Sequence, residues 1–275
     1  MSSIIFFSPR PLDAATLTAS SEVASLPVTN LQDQEPTQKF RTESNTAQAV
    51  RIELAWSLAC NVAGFNGHNM SDTATWRVSG YTTVGNVPGT PAFQTAWQSV
   101  WPVTGKPALK LWPHFLSVIQ WDNDVEYPVY LIEFTDPDND DDFIDIGRAA
   151  IDRAFQPGLT CDFGSGLGWA PDDVQEATSY GHTFTDHRPY KKRRFTISFG
   201  AMDQDEAHDG AMEFARLDGM AGDIFVCLDP NETTRFQFWS MQGLLAAGSH
   251  DFTCQPLFVN NRMMWGFTFT MTQKL

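Results

Sequence analysis

Apolar positions along this chain recur in short alternating runs. The runs are Val50 to Leu54, Thr75 to Ser79, Val129 to Phe134, Phe195 to Phe199 and Trp265 to Met271, each of about the usual strand length. The last is the clearest. Trp265, Phe267, Phe269 and Met271 fall on one face and Gly266, Thr268 and Thr270 on the other, the period of a half-buried strand. Gly, Pro, Asn and Asp punctuate the runs at Gly85 to Pro91, Thr135 to Asp142 and Gly164 to Gly168, where they supply turn geometry. Many short strands separated by such turns predict β-sandwiches. One long helix is expected over Gln204 to Met220: Asp203 can cap it, Glu206 completes a capping box, and Ala207, Ala211, Phe214 and Leu217 share a face. The Pro-Gly pair in Gln156 to Leu159 marks a boundary. The chain is thus expected to be mainly β, with a sandwich over residues 1–157 and an α+β domain with one principal helix over 158–275. No internal repeat is visible.

Composition narrows the function classes. With 275 residues, 42% of them apolar and 13% aromatic, the chain can build a sizeable core and lacks the signature of disorder. Its 33 acidic residues against 18 basic ones give a net charge of -15. Binding to phosphate backbones relies on Lys and Arg, so nucleic acid is not the expected partner, and anionic membrane surfaces are disfavoured by the same sign. No apolar run approaches the roughly 20 residues of a membrane span, so a soluble protein without membrane insertion is expected. Met1 to Phe7 has no basic leader region, which points to cytoplasmic synthesis. Cys60, Cys161, Cys227 and Cys254 are far apart, form no C-x-x-C, and read as small buried hydrophobes.

A family resemblance rests on ordered motifs. Asn30-Leu31-Gln32-Asp33 precedes Lys39-Phe40-Arg41-Thr42, then come Val50 to Leu54, Val62 to Asn69 and Ala74 to Val78. This order resembles the discoidin-type galactose-binding-like jelly roll. Gly67-His68-Asn69, Phe134-Thr135-Asp136-Pro137, Ile144-Asp145-Ile146-Gly147-Arg148 and Phe155-Gln156-Pro157 further resemble a variant found among tail proteins of long-tailed bacteriophages. The second half, from Arg193-Arg194-Phe195 through Ile224 to Pro230, is similar to the companion region of those proteins.

The resemblance implies a non-enzymatic virion protein of a tail tip or baseplate, a distal or minor tail protein without a cofactor. Its C-terminal domain would join a trimeric or hexameric homo-oligomeric ring, and its neighbours would be tail tube, baseplate hub and tail-tip proteins. It would be made in the host cytoplasm and end in the tail. The alternative is a carbohydrate-binding adhesin for host surface glycans. The segment from Gly85 to Val125, rich in Pro and Trp, departs from the family.

Candidate chemistry is sparse. His68, between Gly67 and Asn69, reads as a loop anchor bonding a backbone carbonyl, with a sugar contact as the other reading. The acids Asp136, Asp138, Asp140, Asp141 and Asp142 read as a solvated turn. The calcium-loop pattern fails, because Asp141 and Gly147 stand where Gly and Glu are needed. Gly164, Gly166 and Gly168 lack the spacing and the Lys-Ser/Thr of a phosphate loop. His182, Asp186 and His187 form no metal or catalytic signature, so neither a metal site nor a catalytic residue is expected. Lys191-Lys192-Arg193-Arg194 is the sole basic cluster, read as residues entering an edge strand or pairing across a subunit interface. Trp97, Trp101, Trp112 and Trp121 are the best site candidates: aromatic faces stack on sugars, and Trp is also enriched in interfaces and cores.

Overall fold

The computed structural model describes residues 4–274 apart from 102–114, 159–160, 163–164, 171–173, 178–182, 187–190, 214–215, 217–221, 232–235, 246–254 and 260–261. Strands are numbered in chain order. Six of them form the outer sheet of the N-terminal sandwich. These are β2 (Thr16–Ala19), β4 (Gln48–Glu53), β10 (Val129–Thr135) and β6 (Thr75–Tyr81), in that order, with β7 (Phe93–Gln94) and β8 (Gln98–Ser99) on the far edge of β6. The facing layer consists of β12 (Arg148–Asp152), β5 (Ala59–Asn66) and β9 (Leu116–Glu126), with the short pair β3 (Phe40–Arg41) and β11 (Asp145–Ile146) beside it. All these pairings are antiparallel.

Alternation explains why the layers meet. Val50 and Ile52 of β4, Trp76 and Val78 of β6, and Tyr130, Ile132 and Phe134 of β10 point inward. They meet Ala63 and Phe65 of β5, Ile119 of β9 and Ala149 and Ile151 of β12 in one buried cluster.

The C-terminal part is a seven-stranded sheet in the order β1 (Ile5–Phe7), β17 (Asp223–Cys227), β18 (Ser240–Leu245), β20 (Arg262–Gln273), β16 (Lys192–Met202), β13 (Gly166–Ala170), with β19 (Gln255–Val259) also on β20. A hairpin of β14 (Val174–Ala177) and β15 (Thr183–Asp186) stands apart from it. The expected face of the last strand is present: Phe267, Phe269 and Met271 are buried with Phe195, Ile197 and Phe199, and Trp265 packs against them. The protein is therefore mainly β, a jelly-roll sandwich followed by an α+β unit.

The division and the helix carry detail that the pattern does not show, and the capping box needs correction. The strand formed by Ile5 to Phe7 lies within residues 1–157, yet it pairs with Cys227 to Phe225 of the second unit, so the division at 157/158 is crossed by the chain's first strand. Besides the short helix α1 (Arg10–Asp13), the expected helix has a π-helical segment, α2 (Glu206–Met212), seating Ala207 and Ala211 on the sheet; Phe214 and Leu217 lie outside the described residues. Asp203 does cap it, accepting the Glu206 amide at 2.8 Å, but the Glu206 carboxylate accepts the Gly158 amide at 2.7 Å instead of closing a capping box.

The central layer is covered on both sides. On β5, β9 and β12 the residues that do not face the sandwich core, Val62, Leu116 and Ala150, pack against Ile5, Phe7, Phe225, Cys227 and Phe236. Ile4, Phe6, Ile224 and Val226, on the opposite faces of β1 and β17, belong to the C-terminal core. This is why Ile4 to Phe7 is an unbroken apolar run: strands buried on both faces lose the apolar-polar alternation.

Candidate binding site

The junction between the two units holds the densest polar chemistry. Arg148 of β12 is fully buried. Its Nε and Nη2 donate to Asp223 at 2.9 and 2.8 Å, its Nη1 and Nη2 to Asp13 at 2.6 and 2.8 Å, and Nη1 also to the Leu31 carbonyl at 3.0 Å. All five guanidinium hydrogens are thereby engaged. Burial alone pushes the guanidinium's pKa down, but the hydrogen bonds to Asp223 and Asp13 outweigh it and hold the group above its ordinary value. Asp223 also accepts Gln242 Nε2 at 2.6 Å, and Gln242 Oε1 accepts Asn66 Nδ2 at 2.8 Å, so a continuous network runs from one unit to the other. Beside it Gln237, in the short helix α3 (Phe236–Trp239), pairs its side-chain amide with both backbone groups of Leu116 at 3.0 and 2.8 Å. Gly147 precedes Arg148 because a Cβ there would strike the Pro36 carbonyl.

Among the described residues, Trp97, Trp101 and Trp121 take three different surroundings. Trp101 is 2% exposed, sits in the sandwich core against Phe115, and donates its indole N–H to the Ser71 carbonyl at 2.7 Å. Its role is packing. Trp112 lies outside the described residues. Trp97 is 45% exposed with the Arg77 guanidinium 4.5 Å from its ring centroid; Arg77 also makes a bidentate pair with Glu133 at 2.7 and 2.8 Å. Trp121 is half-buried, its N–H held by the Cys60 carbonyl at 3.0 Å and its ring 5.4 Å from that of Phe93.

His68 meets a hydroxyl of the facing layer. Its Nε2 lies 3.0 Å from Ser117 Oγ, which itself donates to the Val100 carbonyl at 2.7 Å. The acidic turn is only partly solvated. Asp136 is wholly buried, accepts the Ser71 hydroxyl, and takes the Ser71 amide at 2.7 Å and Asn139 Nδ2 at 2.9 Å. Among the described residues no group of three His, Cys, Asp or Glu side chains is placed to hold a metal. In the basic cluster, Arg193 is buried and donates to the Gln237 and Ser240 carbonyls, and its strand lies between β13 and β20 rather than at an edge. His182 and His187 lie outside the described residues. Among the described residues no helix is long and apolar enough to cross a membrane. The thiols of Cys60, Cys161 and Cys227 are free; Cys60 and Cys227 are buried as expected, Cys161 is half-buried, and Cys254 lies outside the described residues.

Sequence reasoning missed a cleft where the central layer meets the second unit. It has a volume of about 540 Å³, and Trp121, Asn61, Gln120, Asp122, Gln156 and Asn231 line it. A bulge makes it. Cys60 pairs with Val125 and Val62 with Gln120, so β9 carries extra residues opposite Asn61, among them Trp121 and Asp122. Asn61 is oriented from both ends, accepting the Ala154 amide at 2.7 Å and donating to Asp124 at 2.9 Å. Gln120 Nε2 donates to Gln156 Oε1 at 3.1 Å. Such a surface offers donors and acceptors together, beside the rings of Trp121 and Phe236 and one carboxylate, Asp122. Trp121 was legible as a site candidate and Gln156 only as part of the Phe155-Gln156-Pro157 motif; the other amides, scattered over residues 61 to 231, form no motif.

Neither a protein-family model nor a curated protein matches this chain. Solved structures do. The family 32 carbohydrate-binding module of C. perfringens NanJ in complex with galactose is 14% identical over 54% of this chain and 98% of its own, with a TM-score of 0.40. The lectin domain of Lectinolysin complexed with Lewis B antigen is 10% identical over 52% and 96%, at 0.35. Reduced XRCC1 bound to the DNA pol beta catalytic domain is 12% identical over 50% and 93%, at 0.36.

Proposed function

We propose that this chain is a non-catalytic structural subunit of a bacteriophage tail tip or baseplate, assembling as a symmetric trimer or hexamer around the tail axis. The observation that carries the reading is where the resemblance motifs lie. Gly147-Arg148 and Phe155-Gln156 sit where the sandwich meets the second unit: Arg148 forms the buried ion network, and Phe155 exchanges both backbone hydrogen bonds with Phe6 at 3.0 and 2.8 Å. Residues that fasten the sandwich to a second sheet suit a subunit that transmits position through an assembly. The reading predicts closed symmetry, because a heterologous contact between subunits must close or polymerise. Immunogold labelling of purified virions with antibody against the chain, with native mass spectrometry of the recombinant protein, tests this. Label at the tail tip and a trimer or hexamer are expected; a chain missing from virions, or monomeric and peripheral, sinks the reading.

A second reading is a carbohydrate-binding adhesin contacting host surface glycans. The specific observation in its favour is Trp121 in a cleft lined by amides, the mixture of aromatic face and two-way hydrogen-bonding groups that hydroxyl-rich ligands need. The two readings are compatible in one tail protein.

A further inference from the structure

We infer that the cleft at the junction, and not the exposed Trp97 face of the outer sheet, is a binding site for a neutral saccharide bridging the two units; the inference rests on the glycan reading above. Four features converge on it. The first is size: about 540 Å³ lies within the roughly 300–1,000 Å³ of small-ligand clefts. The second is preorganisation. Trp121 is pinned through its N–H and Asn61 through both ends of its amide, so binding does not have to order these side chains.

The third is hydrogen-bonding capacity. Gln120 keeps one amide hydrogen and its carbonyl oxygen beyond the bond to Gln156, and Asn61 keeps a second hydrogen and lone pair. Amides that both donate and accept match hydroxyl groups, which do the same. The fourth is charge. Among the described residues the lining contains no Lys, Arg or His and one carboxylate, Asp122, in a chain of net charge -15. An anionic ligand such as a phosphorylated or sialylated sugar would be repelled, and nothing there would pair with it. Asn231, which follows β17, comes from the second unit while Trp121 and Asn61 come from the sandwich, so a bound sugar touches both.

The Trp97 face is a poorer site. Arg77 already covers the ring, and Glu133 and Ser79 complete a closed set of bonds with Arg77 and Gln94.

The test is titration of the 275-residue chain with galactose, N-acetylgalactosamine, fucose, lactose, sialyllactose and cello- and maltotriose. Saturation-transfer NMR and tryptophan fluorescence are the readouts, on wild type and on Trp121→Ala, Gln120→Ala, Asn231→Ala and Trp97→Ala, each checked by circular dichroism. At least one neutral sugar is expected to bind. Gln120→Ala and Asn231→Ala, surface changes that leave the fold intact, should weaken it about tenfold, as should Trp121→Ala, while Trp97→Ala stays within about twofold. If sugar binds but only Trp97→Ala abolishes binding, the cleft assignment is wrong and the glycan reading stands. If no sugar of the set binds wild type, the glycan reading falls and takes the cleft with it. Preferential binding of sialyllactose over lactose would overturn the neutral class alone.

Discussion

The buried and open sides of one junction are made of opposite materials. On the buried side, Phe7, Val62, Ala150, Phe225 and Cys227 pack in one apolar cluster, and every hydrogen of the Arg148 guanidinium is bonded. On the open side, a few residues along the same strands, the bulge in β9 parts the layers and leaves amides and an indole facing solvent. The difference teaches that fastening and recognition need different chemistry on one frame. Fastening satisfies each polar group inside the protein. Recognition leaves some of that capacity for a ligand.

The largest effect expected is from Arg148→Ala. It strands Asp223, 1% exposed, without its countercharge, and removing one partner of a buried pair costs about 3–5 kcal/mol. Urea unfolding should show that loss; the wild type is expected to unfold in one transition and the variant in two as the units uncouple. The double variant Arg148→Met with Asp223→Leu should recover part of it, because no buried charge is left unpaired. A loss below about 1 kcal/mol for the single variant would mean the network is not what joins the units.

Gly64→Ala comes next. A Cβ there would lie 2.8 Å from the Phe7 ring and 3.0 Å from the Ser117 carbonyl, and overpacking of this kind typically costs 1–3 kcal/mol. Pairing it with Phe7→Leu should restore most of the loss, read as a double-mutant coupling in unfolding midpoints. If the two losses simply add, the close approach of β1 to β5 is not the source.

How much of this was legible follows from the range of the forces. The alternation of Trp265 to Met271 and the Asp203 cap act within a few residues and could be read directly. The β1–β17 pairing could not, because Phe7 and Phe225 meet across more than two hundred residues and the only local trace is an unbroken apolar run, which a core segment of any kind shows. Arg148 was visible as part of an Ile-Gly-Arg turn, but its partners Asp13 and Asp223 come from opposite ends of the chain. The tryptophans misled for a related reason: composition marks Trp101 and Trp121 alike, and only packing separates a core ring from a cleft wall.

A smaller effect concerns pH. Burial pushes the Cys227 thiol up from its ordinary 9.0, and the backbone near Asp229 offsets only a little of it. A raised pKa in an acid means the folded state holds the proton more tightly than the unfolded one. The stabilisation is fully present below pH 9 and is lost as pH rises above it, by up to about 1.4 kcal/mol per pH unit. Unfolding midpoints between pH 8 and 11 should therefore fall more steeply for wild type than for Cys227→Ala. Parallel slopes would show water already reaching the thiol, and the buried side would then be no drier than the open one.

The smallest effect is the one that most sharpens the contrast. Asn231 is exposed on the rim of the cleft, and among the bonds described here its side chain supports no other part of the fold, its backbone amide alone being held by Asp229 at 3.1 Å. Surface substitutions without such a structural role usually change stability by no more than about 0.5 kcal/mol. Asn231→Ala should therefore unfold at the wild-type urea midpoint with an unchanged slope, even though the same substitution is expected to weaken sugar binding about tenfold. Stability untouched where Arg148→Ala costs several kcal/mol would separate the fastening side of the junction from the recognition side. A loss above about 1 kcal/mol would instead make the cleft's amides part of the fastening, since a side chain that serves only a ligand has nothing to hold when none is bound.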